Sequence, residues 1–403
     1  MYILQPMLFS FDDLMKYEPK SRLEEIFRTL DLQPLEEQLP RCVLGRKGHS
    51  KLSMVRALIA KQIEAIPGNN RLVERLKNDP VFRYVCGFPV IKAVPSESTF
   101  SRLFTKLSED ETLETLFNDL VRKAIESGII DGSTIAIDST EIDAYEKPLP
   151  KKKLINDGNH ASWGSKRDTN GNQIKWFGYK LHLSSDTWSE LPISFRVTPA
   201  NVYDSEVAIP LVEDLVSKHP GFINPKYYIM DAAYDSKEIY GFIWKEQKAS
   251  AIIPLNQRNT KQPPLGMDLN GTPICSNGYP MVYWGYDRKT GAKKFRCPHV
   301  LGKTDCPFGS NWCSSSNYGM VVKMKIDDDP RRQCVPHRGT DRWQELYKLR
   351  TAVERCFSRL KEYLSANNLK VRGIKKVTTH LLLNCIALIA GTLAVNRKSN
   401  MAA

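Results

Sequence analysis

Three acidic residues, Asp138, Asp231 and Glu354, are the side chains of this sequence most suited to chemistry. Asp138 ends the apolar run IAI and Asp231 ends the run YYIM, and each run has the composition of a buried strand. A carboxylate that directly follows such a strand is costly if it stays buried without a partner. The two aspartates therefore predict a shared electronegative pocket, for which a hard divalent cation is the natural neutraliser.

Glu354 lies in the segment YKLRTAVERCFSRLK, residues 347–361, which has the pattern of an amphipathic helix. Tyr347, Arg350, Glu354 and Lys361 stand at offsets of 0, 3, 7 and 14, so in a regular helix they fall within an arc of roughly 60°. A second, apolar stripe lies about a quarter-turn away and consists of Leu346, Leu349, Val353, Phe357, Leu360 and Leu364. The pattern predicts a helix that docks by its apolar face and aims four polar groups along the edge of that face.

Each of the three acidic residues also has a simpler interpretation. Asp138 and Asp231 could be turn or cap residues, and Glu354 could pair with Arg350 or Lys361 across helical turns. Taken together, however, three carboxylates that hold two Mg²⁺ ions roughly 4 Å apart form the two-metal arrangement for phosphodiester chemistry. In that arrangement one ion turns water or a 3′-hydroxyl into the nucleophile and the other stabilises the leaving oxygen.

Four further acidic residues lie near these motifs and are not expected to be metal ligands. Asp143, Asp204 and Asp235 follow strand ends or begin helices, where N-capping explains them. Glu141 follows the first aspartate motif and could support the site from outside the set of ligands.

The elements that must position the three carboxylates change in character along the chain. Residues 1–128 have helical periodicity, and short helices with an exposed Arg102 indicate a helix-turn-helix-like DNA-binding module or a plain helical bundle. After Gly132 come three β-rich runs, STIAIDST, KWFGYKLHLSSD and LPISFRVTPA, followed by alternating helix and strand. This order predicts an α/β unit with a mixed sheet over residues 129–256.

Residues 257–336 are rich in Gly and Pro and predict an irregular or β insertion, after which residues 337–403 return to helical patterning. Four cysteines of the insertion could bind zinc: Cys275, Cys297, Cys306 and Cys313. His299, Cys334 and His337 would be spare ligands. Because no pair has C-x2-C spacing, reduced and partly buried cysteines are the alternative.

The composition points to a nucleic-acid partner and a cytosolic protein. The net charge of +13 favours a polyanionic ligand, most simply nucleic acid. The N-terminus lacks the pattern of a signal peptide, and the odd number of cysteines, nine, argues against a disulfide framework. The longest apolar segment, residues 381–395, is short for a membrane span and predicts a buried helix.

The motifs together resemble one protein family. The spacing Tyr347-x2-Arg350-x3-Glu354-x6-Lys361 is similar to the Y-x2-R-x3-E-x6-K signature of the DDE transposases of bacterial insertion sequences. IAIDST and MDAAYDS resemble the first and second aspartate motifs of that family, and FGYKLHLSSD and VTPANVYDSE resemble its intervening segments. The N-terminal run that begins LSMVRALIAKQIEAI resembles the helical domain that precedes the catalytic core in many members.

The resemblance implies an RNase H-like mixed sheet flanked by helices, with an all-helical N-terminal domain and an insertion in the catalytic core. It implies that Asp138, Asp231 and Glu354 bind two Mg²⁺ or Mn²⁺ ions. The residues that it assigns to DNA contact are Tyr347, Arg350 and Lys361, with Lys180 and Arg102 as further candidates. The expected units are 1–128, 129–256, 257–336 and 337–403.

The implied function is binding of the terminal inverted repeats in double-stranded DNA, by a homodimer, followed by Mg²⁺-dependent strand cleavage and strand transfer. Two alternatives remain open, a nuclease with the same core that transfers no strand and a non-catalytic DNA-binding derivative of a transposase.

Two features of the sequence could add contacts to that DNA. Some relatives use a Trp of such an insertion to hold a flipped base, and Trp284 and Trp312 are candidates by position, with a core Trp as the alternative. The basic stretches at residues 148–154 and 164–168 could meet the DNA backbone or be solvated loops.

Overall fold

The computed structural model describes residue 10 and residues 22–39, 48–148, 150, 158–167, 170–256, 262–309 and 311–402. Its N-terminal part is helical. Three of these helices begin at a residue that the sequence supplies as a cap, because Ser50, Asp79 and Ser96 each accept a hydrogen bond from the backbone N–H three residues further on. The helices are α1 (Arg22–Phe27), α2 (Gln33–Gln38), α3 (Lys51–Ile63), α4 (Asn69–Asn78), α5 (Pro80–Val85), α6 (Glu97–Leu107) and α7 (Thr112–Glu126).

A mixed sheet follows the helices. Its strands are β1 (Thr134–Asp143), β2 (Ser162–Arg167), β3 (Gln173–Asp186), β4 (Pro192–Pro199), β5 (Tyr227–Ile229) and β6 (Ser250–Ile252). β1, β3 and β4 form an antiparallel meander, while β5 and β6 lie parallel to β1 on its other side. Three antiparallel strands continued by two parallel ones confirm the expected RNase H-like fold class.

Strand β2 was not predicted from the sequence. It pairs with the first half of β3, beyond the part of β3 that pairs with β1 and β4. Residues 164–167 of the basic stretch GSKRD therefore lie on a strand and not in a loop. Lys151, Lys152 and Lys153 of the other basic stretch lie outside the described residues.

Two helices pack on different parts of the sheet. Helix α8 (Asp204–Lys218) packs on β3 and β4, and its buried Val207, Leu211 and Leu215 repeat at helical spacing. A short 3₁₀ turn, Ala232–Tyr234, follows β5 and leads into α9 (Lys237–Lys245), which packs on β6.

The insertion contains a small antiparallel sheet of three strands, β7 (Val282–Asp287), β8 (Ala292–Arg296) and β9 (Val321–Lys325). It is tied to the core by side-chain contacts, for example the hydrogen bond of 2.7 Å that Trp244 Nε1 on α9 donates to Asp327.

The segment of residues 347–361 does not form the single regular helix that its periodicity predicted. It is divided into α10 (Asp341–Lys348), α11 (Thr351–Ser358) and a π-helical turn (Arg359–Tyr363). Between α10 and α11 the N–H groups of Leu349 and Arg350 bond to carbonyls three residues back, which tightens the chain. Leu349, expected on the buried stripe, is consequently 39% exposed, whereas Val353, Phe357 and Leu360 are buried as predicted.

The chain continues in a long apolar helix, α12 (Ile374–Ala402), which joins the helical part to the sheet. It packs against α3, α7 and β4. By length and composition this helix could cross a membrane, but 78% of its most apolar window is buried inside the protein. The buried helix expected at residues 381–395 is confirmed, and it belongs to one hydrophobic core that runs from Leu23 to Ala394.

Candidate active site

Asp138 lies on the central strand β1, beside a cleft lined by acidic side chains. Its Oδ1 accepts a hydrogen bond of 2.8 Å from the N–H of Ser139, and its Oδ2 lies 3.0 Å from Nη1 of Arg350. Burial, together with the charge of Asp231, raises the pKa of Asp138 to about 7, although the Ser139 N–H and Arg350 act in the opposite direction. An added positive charge nearby would therefore stabilise the ionised form of this carboxylate.

Asp231 follows the neighbouring parallel strand β5, whose pairing with β1 ends at Ala136, two residues before Asp138. Asp138 is therefore not at a strand end, as its apolar run predicted, but in the middle of β1, beside the point where β5 ends. Oδ1 of Asp231 accepts a hydrogen bond of 2.8 Å from the N–H of Ala233 and caps the 3₁₀ turn. The capping interpretation is thus correct for this residue, but it is incomplete. Burial raises the pKa of Asp231 as well, against the opposing effect of the Ala233 N–H and of Arg350.

Arg350 connects the aspartates to the third carboxylate. It stands in the turn between α10 and α11, with Nη1 on Asp138 and Nη2 2.7 Å from Oε1 of Glu354. The predicted pair between Arg350 and Glu354 across one helical turn therefore forms, but the same guanidinium also reaches the sheet. Glu354 itself is half-exposed, since 49% of its side chain is accessible to solvent.

Tyr347 and Lys361 border the acidic residues on two sides. Tyr347 stacks on Trp343, with ring centroids 5.2 Å apart, and burial raises the pKa of its hydroxyl. Lys361 lies in the π-helical turn and donates a hydrogen bond of 2.6 Å to Oγ1 of Thr140, two residues beyond Asp138 on β1. Burial lowers the pKa of this ammonium group, although Glu141 at 4.0 Å acts in the opposite direction.

Asp204 is a fourth carboxylate of the cleft, although its position in the sequence predicted only an N-cap. It starts α8 but makes no capping hydrogen bond there. Its charge instead raises the pKa of Asp138 and of Asp231, after the larger effect of burial on each. Its Oδ1 accepts a hydrogen bond of 2.9 Å from Lys180. The motif VTPANVYDSE, which resembles an intervening segment of the family, is the signal that could have found it.

Lys180, a candidate for DNA contact, is held by internal acceptors. Its ammonium group donates to Asp204 and, at 2.9 Å, to the carbonyl of Val202, and only 14% of its side chain is exposed. Arg102, the other candidate outside the signature, lies on the exposed face of α6 and bonds within its own helix to the carbonyl of Ser98. The structure therefore brings the signature residues together with the aspartates, gives Lys180 a supporting position beside Asp204, and leaves Arg102 in the helical part.

The acidic side chains have the chemistry that a hard divalent cation requires. All their donor atoms are carboxylate oxygens, which Mg²⁺ and Mn²⁺ prefer, and a cation would remove the penalty that raises the pKa of both aspartates. Arg350 lies between Asp138 and Glu354 in this structure. Among the described residues no group of three or more His, Cys, Asp or Glu side chains is arranged to hold a metal ion. A cation held by all three carboxylates would therefore have to displace this guanidinium.

Comparison with known protein families gives two matches. The family described as "Transposase DDE domain" matches residues 130–390, and a second family described as "Transposase domain" matches residues 11–106. The chain belongs to the DDE transposase family. Comparison with curated proteins gives no match. Among solved structures, the cryo-EM structure of a piggyBac transposase synaptic complex with hairpin DNA is similar, with 12% sequence identity and a TM-score of 0.41 over 96% of this chain and 77% of that chain.

In this transposase the insertion holds the loop that carries the second aspartate. Asp235, four residues after Asp231, has no exposed side-chain surface. Its two oxygens accept hydrogen bonds of 2.7 and 2.5 Å from Nε and Nη2 of Arg331, and Oδ2 also accepts one of 2.7 Å from the N–H of Asn256. Asp235 is thus not an N-cap. It accepts hydrogen bonds from Asn256 and Arg331, near the two ends of the insertion, and these bonds fix the loop that follows β5.

The four cysteines that could bind zinc are not grouped with a third His, Cys, Asp or Glu ligand in the part of the insertion that the structure describes. Cys297 is buried, the other three, Cys275, Cys306 and Cys313, are partly buried, and all four are reduced. Contacts bring some of their turns together, since Asn277 donates to Sγ of Cys306 at 3.6 Å. The Cys297 N–H donates to the carbonyl of Met320, whose sulfur accepts from Ser276. Zinc binding by these cysteines stays a prediction.

The two tryptophans of the insertion are not core residues. Trp284 is 50% exposed and its ring lies 4.4 Å from the guanidinium carbon of Arg296. Trp312 is 58% exposed and stacks on Phe308, with ring centroids 5.0 Å apart. The core interpretation is wrong for both, because half or more of each side chain is exposed.

Proposed function

We propose that this protein is the transposase of an insertion sequence, which binds the terminal inverted repeats of its element and catalyses DNA strand cleavage and strand transfer. The observation that supports this most is the position of Asp138 on β1, beside the end of β5 that Asp231 follows, with Arg350 paired to both Asp138 and Glu354. Membership of the DDE transposase family supports the same reaction class.

Asp138, Asp231 and Glu354 would hold divalent ions, two Mg²⁺ or Mn²⁺. When bound, such ions convert water or a 3′-hydroxyl into a nucleophile and stabilise the departing oxygen of a phosphodiester. Asp204 and Lys180 would act on this set indirectly, since their ion pair sets the charge felt by the two aspartates.

The cationic side chains would bind the DNA strand at the acidic site. The planar guanidinium of Arg350 can pair with a phosphate as well as it pairs with a carboxylate, so that it would move from Asp138 and Glu354 to the phosphate beside the scissile bond. Lys361, fixed to β1 through Thr140, would contact a neighbouring phosphate, and Tyr347 would border the same strand. The positive net charge of +13 would add affinity that is independent of sequence. Two copies of the chain would hold the two ends of the element.

Glu354→Gln tests this proposal. The variant keeps the size of the side chain and can still accept a hydrogen bond from Arg350, but it loses the charge of the third ligand. With DNA taken from the two flanks of the gene, we expect wild-type protein and Mg²⁺ to cut at the ends of an inverted repeat, with cleavage lowered at least about 100-fold in the variant. Binding of the repeat, measured by gel shift, should change little.

Glu345→Gln is the matched control, because Glu345 lies nearby on α10, is exposed, and pairs with Arg342. Equal cleavage by Glu354→Gln and Glu345→Gln would contradict the assignment. The products also separate the alternatives, since joined strands support the transposase and cut ends alone support a nuclease. Binding without any cutting, in Mg²⁺ and in Mn²⁺, would support a non-catalytic derivative.

A further inference from the structure

A second concave site lies between the helical N-terminal part and the start of α12, and no residue of the acidic site lines it. It is a cleft with a volume of about 690 Å³. Its walls are the beginning of α4 at Asn69 and Asn70, one face of α6 at Ser101, and the segment of residues 370–372 that leads into α12.

The lining of this cleft is strongly basic. Five cationic side chains line it, whereas Glu97 is the one acidic residue among the described lining residues. The cations are Lys61, Arg71, Lys370, Arg372 and Lys376. They come from α3, α4, the segment before α12 and α12 itself, so the fold and not a local run of sequence brings them together.

The floor of the cleft contains buried polar groups without partners. Lys61 is only 7% exposed, and its ammonium group makes no hydrogen bond or ion pair with any residue that the structure describes. Burial lowers the pKa of Lys61 to about 8. Beside it His380 is 3% exposed, and its Nε2 likewise has no hydrogen-bond partner in the described part of the chain. An unpaired buried ammonium group is costly, and an anion in the cleft would remove that cost.

The wall of the cleft offers further groups to an anion. Helix α4 begins after Gly68, which has no side chain to cap it, so that its first backbone N–H groups are left for an external acceptor. On the opposite wall Lys370 and Arg372 each lie 5.5 Å from the ring centroid of Tyr145. These contacts hold two exposed cations at the rim before any ligand arrives.

We propose that this cleft binds backbone phosphates of DNA, with Lys61 at its floor and Lys370, Arg372 and Lys376 along its rim. The inference rests on the proposed function for the identity of the polyanion. The cleft is longer than one phosphate group requires, and its cations are spread over several elements, which suits consecutive phosphodiesters better than a single free anion. A duplex bound there would contact the helical part and α12 at the same time, away from the DNA strand that reacts at the acidic site.

The test measures DNA affinity as a function of salt in the full-length protein. A fluorescently labelled duplex from the flank of the gene is titrated with wild type, with Lys376→Ala and with the double variant Lys370→Ala/Arg372→Ala. Lys375→Ala is the matched control, because Lys375 is the exposed neighbour of Lys376 on α12 and does not line the cleft. We expect the double variant to lose about tenfold in affinity at low salt, and the slope of log K against log salt to fall by about 1 for each lost phosphate contact.

Lys61→Met probes the floor, and its circular dichroism spectrum shows whether it folds. If it does not fold, the rim variants decide the question, since Lys370 and Arg372 are exposed. Cleft variants that bind the duplex with the affinity and salt slope of Lys375→Ala would overturn the inference and leave the proposed function intact. No binding of the duplex by wild type would count against the proposed function itself, and this inference would fall with it.

Inorganic phosphate is the second probe. The inference requires that the rim variants bind the duplex more weakly than Lys375→Ala does. If phosphate raised the melting temperature of wild type but not of the rim variants, while all bound the duplex equally, the cleft would be a site for a free anion and the inference would be wrong.

Discussion

At the scale of single residues, the positive charge of Arg350 determines the electrostatics of the acidic cleft. Arg350 is the cation that holds Asp138 and Glu354 together, at 3.0 and 2.7 Å, in a cleft where burial raises the pKa of both aspartates and the charge of Asp231 raises that of Asp138 further. A charge-assisted hydrogen bond of this kind contributes roughly 1.5–3 kcal/mol. Arg350 and a divalent cation therefore compete for the same carboxylates, and DNA phosphate would be the group that releases Arg350.

Arg350→Ala should accordingly have opposite effects on metal binding and on catalysis. Without the guanidinium the carboxylates lack a cation, so we expect Mn²⁺ to bind the DNA-free protein about tenfold more tightly by isothermal titration calorimetry. Cleavage should fall by more than overall DNA affinity does, because affinity comes from many phosphate contacts. Arg342→Ala, an exposed arginine on α10, is the control. Weaker Mn²⁺ binding in Arg350→Ala would show that Arg350 organises the ligands and does not compete with the ion.

Individual residues differ in how far the sequence predicts their roles. Asp138, Asp231 and Arg350 could be predicted because apolar runs and helical spacing mark them before any fold is known. For Asp204 the motif VTPANVYDSE marks only the position, because its effect on the aspartates depends on how α8 packs across the sheet and not on its neighbours in sequence. The internal pairing of Lys180 with Asp204 has the same origin.

At the scale of elements, the loop that follows β5 is fixed by the insertion. Asp235 and Arg331 form a bidentate pair with no exposed surface on the carboxylate, and Asp231 lies four residues earlier in the same loop. Removal of one partner from such a pair leaves the other buried and uncompensated. The insertion would thus act on the acidic site by positioning Asp231.

Asp235→Asn should therefore lower cleavage at least about tenfold and raise the Mg²⁺ concentration needed for half-maximal activity. A residue that only stabilised the fold would lower activity without changing the metal dependence. Arg331→Ala should reproduce both effects, whereas Arg288→Ala, at an exposed position of the same insertion, should reproduce neither. An unchanged metal dependence in both Asp235→Asn and Arg331→Ala would show that the pair has no positioning role.

The sequence correctly predicts elements that have strong local patterns, but it does not predict those that depend on contacts between distant residues. Helix α8 has the limits that its periodicity and acidic first turn predict. The division of residues 347–361 was not predicted, because a tight turn at Leu349 and Arg350 leaves no mark in an apolar repeat. Strand β2 was missed since its residues, SWGSKR, pair only with the outer half of β3 and lack a buried alternating face.

At the scale of the whole molecule, one hydrophobic core joins the helical part to the sheet through α12. Four histidines are buried in this molecule and lie in different regions of it: His182, His219, His337 and His380. Burial lowers the pKa of His182 and His219 to about 4 and that of His337 and His380 to about 3. All four are therefore neutral in the folded protein near pH 7.

This arrangement predicts a steep loss of stability in mild acid. In the unfolded chain each histidine binds a proton near pH 6.5, whereas in the folded chain it does so only near its lower pKa. Between these two pKa values a fall in pH therefore favours the unfolded state. Taken alone, four such protons reduce the free energy of unfolding by on the order of 4 kcal/mol between about pH 6 and pH 5. Asp138 offsets a part of this loss, because its pKa of about 7 lets the folded chain bind a proton that the unfolded chain does not yet bind. Because a typical domain is stable by only about 5–15 kcal/mol, the transposase should be close to unfolding at the acid end of this interval.

Urea unfolding at a series of pH values measures this slope. His219→Gln should remove about one proton from it, since both ring nitrogens of His219 lack hydrogen-bond partners among the described residues and the amide cannot be protonated in this range. His160→Gln, at an exposed position, should leave the slope unchanged. A free energy of unfolding that stays constant from about pH 7 to pH 5 would mean that the buried histidines are protonated in the folded state, and that the core linking the helices to the sheet admits water.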